Sequence, residues 1–234
     1  MKIAALLLCA SIVHCAQPKG IDVSQYQPSV NWNQVKANGI EFVYIKATEG
    51  ITYKSSTFNK QFIGATQAGL IRGAYHFALP NASSGVAQAK FFVRNGGGWS
   101  KDGRTLPGAV DLEYNPYGTN ECYGLNVAEM VKWIRDFSNT YKGWTGRRPV
   151  IYTSTSWWQL CTGNYAGFGQ EHPLWLARYA SAPGSLPAGW SYYTFWQHSD
   201  NAQPNPGSAD LFNGDTSSLQ SLIPNTHSHK PRQC

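Results

Sequence analysis

The chain has 234 residues, a mass of 25.8 kDa and a formal net charge of +6. Charged residues make up only 14% of the sequence, against about 25% in an average soluble protein, and aromatic residues also make up 14%. The apolar content excludes a charged disordered protein, and the scarcity of charge excludes a coiled coil. Because Lys and Arg are scattered along the chain, the positive charge does not indicate a nucleic-acid partner.

The N-terminus has the pattern of a secretory signal peptide. A short positive start is followed by an apolar run over residues 3–13 and by small and polar residues at 14–17. We expect removal of residues 1–16 and a secreted, extracellular protein, with a buried N-terminal helix as the alternative. The apolar run is too short to span a bilayer, and no later segment reaches about 18 apolar residues, so no membrane partner is expected.

Strand and helix patterns alternate along most of the remaining chain. Five predicted strands lie at residues 20–24, 42–47, 71–77, 107–114 and 149–153. Each is followed by a predicted helix, at 30–38, 58–68, 86–94, 127–141 and, in a short form, around 157–160. Three more strands follow without helices, at 174–179, 192–197 and 209–212.

This element order predicts an α/β fold built on a parallel sheet that is buried on both faces. Eight strands favour an irregular TIM-like barrel, with five βα units followed by three strands. An open doubly wound sheet is the alternative. No linker-like stretch divides the chain, so we expect a single domain over residues 17–224, followed by a flexible polar tail at 225–234.

Cysteine usage agrees with an oxidising compartment. Two cysteines lie in the predicted signal peptide, which leaves Cys122, Cys161 and Cys234. Cys122 and Cys161 are the natural disulfide pair, and closing that loop would add roughly 3–4 kcal/mol of stability in the chain-entropy model. Asn81 begins an N-glycosylation sequon that we expect on a loop. No Cys and His spacing suggests a metal site, and neither a metal nor a cofactor is expected.

Three carboxylates lie in or at the ends of predicted strands, where a charge is costly unless it is paired or functional. Asp22 is inside the first strand, and Asp111 and Glu113 close the fourth. Residues two apart on a strand share a face, about 6.5–7 Å apart at Cα, and in a barrel that face is the lumen. Clustered carboxylates of this kind can divide the acid and base roles of glycoside hydrolysis. A structural ion pair is the alternative.

The same alternation directs further side chains toward the barrel mouth, where aromatic faces can stack on sugar rings and a cation can meet a carboxylate. For each aromatic residue, packing inside the barrel is the alternative. The residues in phase are Lys46, Tyr75, Phe77, Tyr152, Trp175, Tyr179 and Gln197. Glu49 is expected just past its strand, as a rim contact or as the partner of a cation.

Six motifs occur in an order that resembles glycoside hydrolase family 25, the Chalaropsis-type lysozymes. They are GIDVSQ at 20–25, YIKATEG at 44–50, GAYHF at 73–77, VDLE at 110–113, LWLARY at 174–179 and FWQ at 195–197. The resemblance spans residues 18–224. It implies an irregular barrel and an N-acetylmuramidase that cleaves the β-1,4 bond between N-acetylmuramic acid and N-acetylglucosamine in bacterial peptidoglycan. We expect it to act as a monomer.

The resemblance also implies roles for individual residues. Glu113 matches the general acid, Asp111 its partner on the same strand, and Asp22 the carboxylate of the first strand. Asp210 matches the carboxylate of the last strand, although its flanking residues depart from the usual Val-Asp-Leu-Asn. Two routes follow proton donation by Glu113. In the first, Asp111 orients the substrate's 2-acetamido group for attack, and in the second a carboxylate activates water directly.

Rival functions differ from this one in their carboxylates. A catalytically inactive sugar-binding module would keep the aromatic residues but not all four acids. A chitinase-type hydrolase would carry further acids two and five residues before Asp111, where Ala109 and Leu106 stand. The net positive charge of the chain fits an anionic bacterial cell wall as the partner.

Overall fold

The structure is a computed structural model that describes residues 16–223. The predicted signal peptide up to residue 15 and the predicted tail at 225–234 lie outside these residues. The strands are β1 Lys19–Val23, β2 Ile40–Glu49, β3 Tyr53–Lys54, β4 Ile71–Phe77, β5 Ala109–Asp111, β6 Val150–Thr153, β7 Leu174–Ala177, β8 Phe195–Ser199 and β9 Ser208–Phe212. The helices are α1 Trp32–Ala37, α2 Phe58–Gln67, α3 Gly85–Phe92, α4 Val127–Thr145, α5 Thr155–Thr162 and α6 Thr216–Leu222, with a π-helical turn at Val93–Gly97.

Eight of the strands close into a barrel. Their order is β1-β9-β8-β7-β6-β5-β4-β2, and β1 pairs with β2 to complete the ring. The short β3 lies outside the ring, antiparallel to the end of β2. Neighbouring strands of the ring are parallel except around β9, which is antiparallel to both β8 and β1. The closed ring confirms the irregular single-domain TIM-like barrel and excludes the open sheet.

Several local expectations need correction. β9 is antiparallel because the connection after β8 contains no helix that could carry the chain back across the barrel. The fourth predicted strand is too long, since β5 ends at Asp111 and Glu113 lies two residues beyond it. Glu49, in contrast, is the last residue of β2 and not past it. Helix α6 follows β9 where no helix was expected, because its Ser- and Thr-rich sequence has little apolar periodicity.

The barrel has two separate apolar cores. The lumen is filled by large side chains from alternate strand positions, among them Phe42, Tyr44, Trp175 and Phe195, and α6 closes its base with Leu219 and Leu222. Glycines make room for these rings. A Cβ at Gly20 would lie 2.3 Å from the Phe42 ring, and one at Gly73 would lie 2.4 Å from the Tyr44 ring.

The second core lies between the strands and the helices. It includes the outward strand residues Val43, Ile45 and Ile151 and the fully buried Trp157 and Trp158 of α5. The two cores confirm that inward and outward residues alternate along each strand, as the strand geometry requires. Rigid strands of this kind present their carboxyl ends, and the loops that follow them, as a fixed rim around the lumen.

Two smaller predictions concern the loops. Cys122, in the loop after β5, forms a disulfide with Cys161 of α5, with the Cα atoms 5.3 Å apart, as predicted. Asn81 is exposed in the turn between β4 and α3, so the sequon lies on a loop. Within residues 16–223, none of the helices has both the length and the apolar character needed to cross a membrane.

Candidate active site

Four carboxylates meet at the mouth of the barrel. Asp22 lies on β1 and Asp111 ends β5, while Glu113 is half-buried at the start of the following loop. Asp210 lies on β9, where it pairs with Gly20 on one side and Gln197 on the other, and is therefore deeper in the lumen than Asp22. Parallel strands bring their carboxyl ends to one rim, which explains why residues distant in sequence converge here.

Asp111 and Glu113 form the first pair of carboxylates. Burial raises the pKa of Glu113 to about 7, and the Lys46 ammonium opposes that rise. Burial and the charge of Glu113 together hold the pKa of Asp111 well above its usual range, again opposed by Lys46. At neutral pH Glu113 is therefore divided between its acid and its carboxylate form, as a general acid must be.

Asp22 and Asp210 form the second pair, and no lysine or arginine contacts it among residues 16–223. Gln197 Nε2 donates to Asp22 Oδ2 over 2.6 Å, and Trp175 Nε1 donates to Asp210 Oδ1 over 2.8 Å. Burial raises the pKa of Asp22 to about 6, although hydrogen bonds to Gln197, Ser208 and Asp210 oppose that rise. Burial and the charge of Asp22 hold the pKa of Asp210 well above its usual range.

The Oδ2 atom of Asp210 is buried and meets no hydrogen-bond donor among residues 16–223. The side chains of Asp22 and Asp210 nevertheless lie within hydrogen-bonding reach of each other. Two carboxylates at that distance cannot both ionise readily. The geometry therefore fits a neutral Asp210 that donates its proton to an ionised Asp22.

Lys46 reaches the mouth from β2, and a bulge in that strand supplies its partner. The pairing with β4 slips between Lys46 and Thr48, which turns Glu49 to the same side of the strand as Lys46. Lys46 Nζ then lies 2.6 Å from Glu49 Oε2. Tyr117, from the loop after β5, donates to Glu49 Oε1 over 2.6 Å. Glu49 is thus the partner of a cation, one of its two expected roles.

Gln197 is the centre of a polar network on the opposite side of the mouth. Its Oε1 atom accepts from the hydroxyl of Tyr152 over 2.8 Å and from that of Tyr179 over 3.1 Å. Because both oxygen positions are taken by donors, the amide nitrogen of Gln197 is directed at Asp22. Tyr152, Gln197 and Asp22 therefore have fixed relative positions before any ligand enters.

The aromatic side chains predicted to face the mouth differ in exposure. Trp175 is buried between Tyr44, whose ring stacks on it at 4.7 Å, and Tyr152, whose ring meets it edge-on at 4.8 Å. Trp175 therefore packs inside the barrel, and Phe77 is likewise buried, beneath the Lys46 ammonium at 4.8 Å. Tyr75 is half-buried, and Tyr179 is 59% exposed at the rim.

Comparison with known proteins identifies the fold and the chemistry. Residues 21–206 match the family model described as Glycosyl hydrolases family 25. The chain belongs to glycosyl hydrolase family 25. It is 51% identical to the N,O-diacetylmuramidase of Chalaropsis sp over 209 residues, which cover 87% of this chain and 98% of that protein.

Solved structures agree with the family 25 assignment. A muramidase from Acremonium alcalophilum is 58% identical and superposes with a TM-score of 0.87, covering 88% of this chain and 99% of the other. A family GH25 lysozyme from Aspergillus fumigatus is 52% identical with a TM-score of 0.87, covering 90% of this chain and 100% of the other. The protein is therefore a glycoside hydrolase of the lysozyme type.

The family 25 site contains residues that strand alternation did not predict. Tyr117 and Tyr123 come from the long loop after β5, and Tyr53 comes from β3, beneath Lys46 at 5.4 Å from its ring centre. The aromatic residues of the segment 114–123 are the only sequence signal that could have drawn attention to this loop. His198 follows Gln197 on β8, and its ring lies against the Trp196 ring.

Proposed function

We propose that the protein is a secreted N-acetylmuramidase that hydrolyses the β-1,4 bond between N-acetylmuramic acid and N-acetylglucosamine in bacterial peptidoglycan, with Glu113 as the general acid. The observation that carries this proposal is the pKa of Glu113, which burial raises to about 7 beside the buried Asp111. The muramidases and the lysozyme that resemble the chain support the same substrate. The signal-peptide pattern and the disulfide support secretion.

In the proposed reaction, Glu113 donates its proton to the glycosidic oxygen as the bond from that oxygen to the anomeric carbon breaks. The oxygen of the substrate's own 2-acetamido group attacks the anomeric carbon and forms a cyclic oxazolinium intermediate. When Glu113 holds its proton, its charge no longer opposes the ionisation of Asp111, and the ionised Asp111 stabilises the positive charge that develops on the acetamido nitrogen. Water then attacks the anomeric carbon, gives a proton to the Glu113 carboxylate and reopens the ring, which restores the acid.

Asp111 suits this supporting role better than the role of nucleophile. It comes from the same strand end as Glu113, whereas a carboxylate nucleophile must approach the sugar from the face opposite the acid. Direct activation of water by a carboxylate is the other route, and it inverts the anomeric configuration. Proton NMR of the first product formed separates the two routes. We expect retention, and an inverted product would exclude the acetamido route.

The second pair of carboxylates and its network have a positioning role in the proposal. Gln197, Tyr152 and Tyr179 hold the ionised Asp22 at one wall of the mouth. The half-buried Tyr75 and the exposed rim residues Tyr179 and Tyr117 offer aromatic faces to sugar rings. Lys46 offers a cation to the lactyl or peptide carboxylates of the substrate, in exchange for part of its contact with Glu49.

The test of the proposal is the release of reducing ends from purified peptidoglycan. We expect the wild type to release them and Glu113→Gln to lose activity by about 10²–10⁴-fold, the usual contribution of a general acid. Glu121→Gln is the matched control, because Glu121 is an exposed acid of the same loop. Peptidoglycan left intact by the wild type would refute the function, and a fully active Glu113→Gln would refute the assigned acid.

A further inference from the structure

A buried histidine on β4 lies beside the bulge of β2. His76 is fully buried, and its ring packs in the outer core against Phe92 of α3 and Phe137 of α4, with ring centres 5.5 and 5.4 Å apart. Burial lowers the pKa of His76 to about 4, so the ring is neutral at neutral pH. A neutral imidazole at such a place needs one acceptor and one donor as partners, because a buried polar atom without a partner costs stability.

Gln88 of α3 determines which nitrogen of that ring carries the proton. Its Oε1 atom accepts from the backbone N–H of Leu79 over 3.1 Å, and its Nε2 atom donates to the Leu79 carbonyl over 2.6 Å. These two bonds fix the orientation of the amide, so Oε1 is the atom that lies 2.9 Å from His76 Nε2. An amide oxygen only accepts, so Nε2 carries the proton and Nδ1 is an acceptor. The Thr48 hydroxyl lies 2.7 Å from Nδ1 and therefore donates to it.

The bond between Thr48 and His76 requires the bulged register of β2. Lys46 pairs with Tyr75 and Thr48 pairs with His76, so Ala47 is the extra residue of the bulge. In a regular strand Ala47 would lie opposite His76, and alanine has no hydroxyl to donate to Nδ1. The regular register would therefore leave a buried nitrogen without its donor, and this disfavours it relative to the bulged register.

The register also determines the side of the strand to which Glu49 points. Glu49 pairs with Phe77, whose ring lies beneath the Lys46 ammonium at 4.8 Å. Glu49 therefore points into the mouth, where its two oxygens lie 2.6 Å from Lys46 Nζ and 2.6 Å from the Tyr117 hydroxyl. A slip of one residue would turn Glu49 to the outer face, away from both partners, because side chains alternate along a strand.

We propose that His76 is a positioning residue for the ion pair between Glu49 and Lys46. By accepting the Thr48 hydroxyl, it holds β2 in the bulged register that presents Glu49 to the mouth. His76 and Thr48 act from the outer core, through the strand, and not by contact with the substrate. The inference rests on the proposed function, since the ion pair surrounds the proposed acid, Glu113.

The kinetic test compares Thr48→Val with the wild type on peptidoglycan, because valine has the shape of threonine without the hydroxyl. Loss of Glu49 from the mouth removes a negative charge that raises the pKa of Glu113. That pKa should fall, and the acid form is lost as pH rises through it. The alkaline limb of the pH–kcat profile should therefore move to lower pH by roughly half a unit or more, the scale on which a nearby charge acts. Glu49→Gln removes the same charge directly and should give the same shift.

The other charged and titratable groups that face Glu113 are unchanged in Thr48→Val. They are Lys46, Asp22, Asp111, Tyr75, Tyr123, Tyr152 and Tyr179. A shift of the alkaline limb in this variant therefore reports the position of Glu49.

Two controls separate positioning from folding. Thr48→Ser keeps the hydroxyl and should keep the wild-type limb. Ser138→Ala removes a second buried bond between a hydroxyl and an imidazole, 2.6 Å from Ser138 Oγ to His172 Nε2, and should lower Tm while leaving the limb in place. An unmoved limb in Thr48→Val or in Glu49→Gln would overturn the inference. A shift in Thr48→Ser or Ser138→Ala as large as that in Thr48→Val would overturn it as well.

Nitrogen NMR of the wild-type imidazole is a test that requires neither activity nor a variant. We expect His76 at neutral pH to be uncharged, with its proton on Nε2. A proton on Nδ1, or on both nitrogens, would overturn the inference. Peptidoglycan left intact by the wild type would instead refute the proposed function. A crystal structure of Thr48→Val then decides the inference, which fails if Glu49 keeps its contact with Lys46.

Discussion

The two carboxylate pairs at the barrel mouth have similar side chains and different surroundings. Asp111 and Glu113 face the ammonium of Lys46, and Asp111 has a buried oxygen without a hydrogen-bond partner among residues 16–223. Asp22 and Asp210 face each other, a glutamine amide and an indole N–H, with strong hydrogen bonds of 2.6 and 2.8 Å. Within residues 16–223, Asp22 and Asp210 each accept a side-chain hydrogen bond, whereas the carboxyl groups of Asp111 and Glu113 accept none. Asp210 Oδ2 is, like Asp111 Oδ1, buried without a donor in the described part of the chain.

This difference indicates which pair performs the chemistry. A carboxylate that lacks partners keeps its bonding capacity for the substrate, and a nearby cation tunes its pKa without fixing its orientation. A carboxylate that already accepts a short hydrogen bond has a fixed orientation, and that oxygen has less capacity to bind the substrate. In catalytic sites, contrasting environments often separate the pKa values of titratable groups, and this separation assigns the acid and base roles.

Asp111→Asn gives the largest effect that separates the pairs. Asparagine keeps the size of the side chain but removes the negative charge that stabilises the proposed oxazolinium ion. We expect kcat to fall about 10²-fold or more, with the fold and Tm retained. Steady-state kinetics on peptidoglycan measures the loss. Activity within a few-fold of wild type would show that Asp111 does not stabilise charge in the transition state.

Lys46→Met gives an intermediate effect, visible in the pH profile. The lysine opposes the rise in the pKa of Glu113, so its removal should raise that pKa further above 7. In the proposed function Glu113 works in its acid form, and that form is lost as pH rises through its pKa. A higher pKa should therefore move the alkaline limb of the pH–kcat profile to higher pH. Lys54→Met, the loss of an exposed lysine on β3, should leave the limb in place.

The double variant Lys46→Met, Glu49→Gln sharpens the Lys46 experiment. Lys46→Met alone leaves the Glu49 carboxylate without its cation, and that charge also raises the pKa of Glu113. In the double variant the alkaline limb should move less than in Lys46→Met. A limb that stays at the wild-type pH in Lys46→Met would show that Lys46 does not tune the acid.

Strand alternation predicted the residues on regular strands and failed where the backbone is irregular. Asp22, Lys46, Tyr75 and Gln197 all point into the mouth because their strands keep a period of two up to those positions. Glu49 lies beyond a β-bulge, where the period of two no longer holds. Strand alternation alone therefore could not place Glu49 on the same side of the strand as Lys46, where the two form an ion pair.

Loop residues were beyond prediction for a related reason. Tyr117 and Tyr123 lie in a segment whose path is set by a left-handed residue, a disulfide and contacts with distant side chains, none of which has a sequence period. The antiparallel direction of β9 was also missed, because strand propensity contains no information on direction. Asp210 lies on β9, and only the family resemblance identified it as a candidate site residue.

Asp210→Asn gives the smallest effect and is the most direct test of the second pair. If Asp210 is neutral and donates its proton to Asp22, an asparagine with its Oδ1 toward Trp175 and its amide nitrogen toward Asp22 satisfies both neighbours. We therefore expect less than about a tenfold loss of kcat and an unchanged Tm, in contrast to Asp111→Asn. A loss as large as that of Asp111→Asn would mean that Asp210 works as an ionised group, and the distinction between the two pairs would fail.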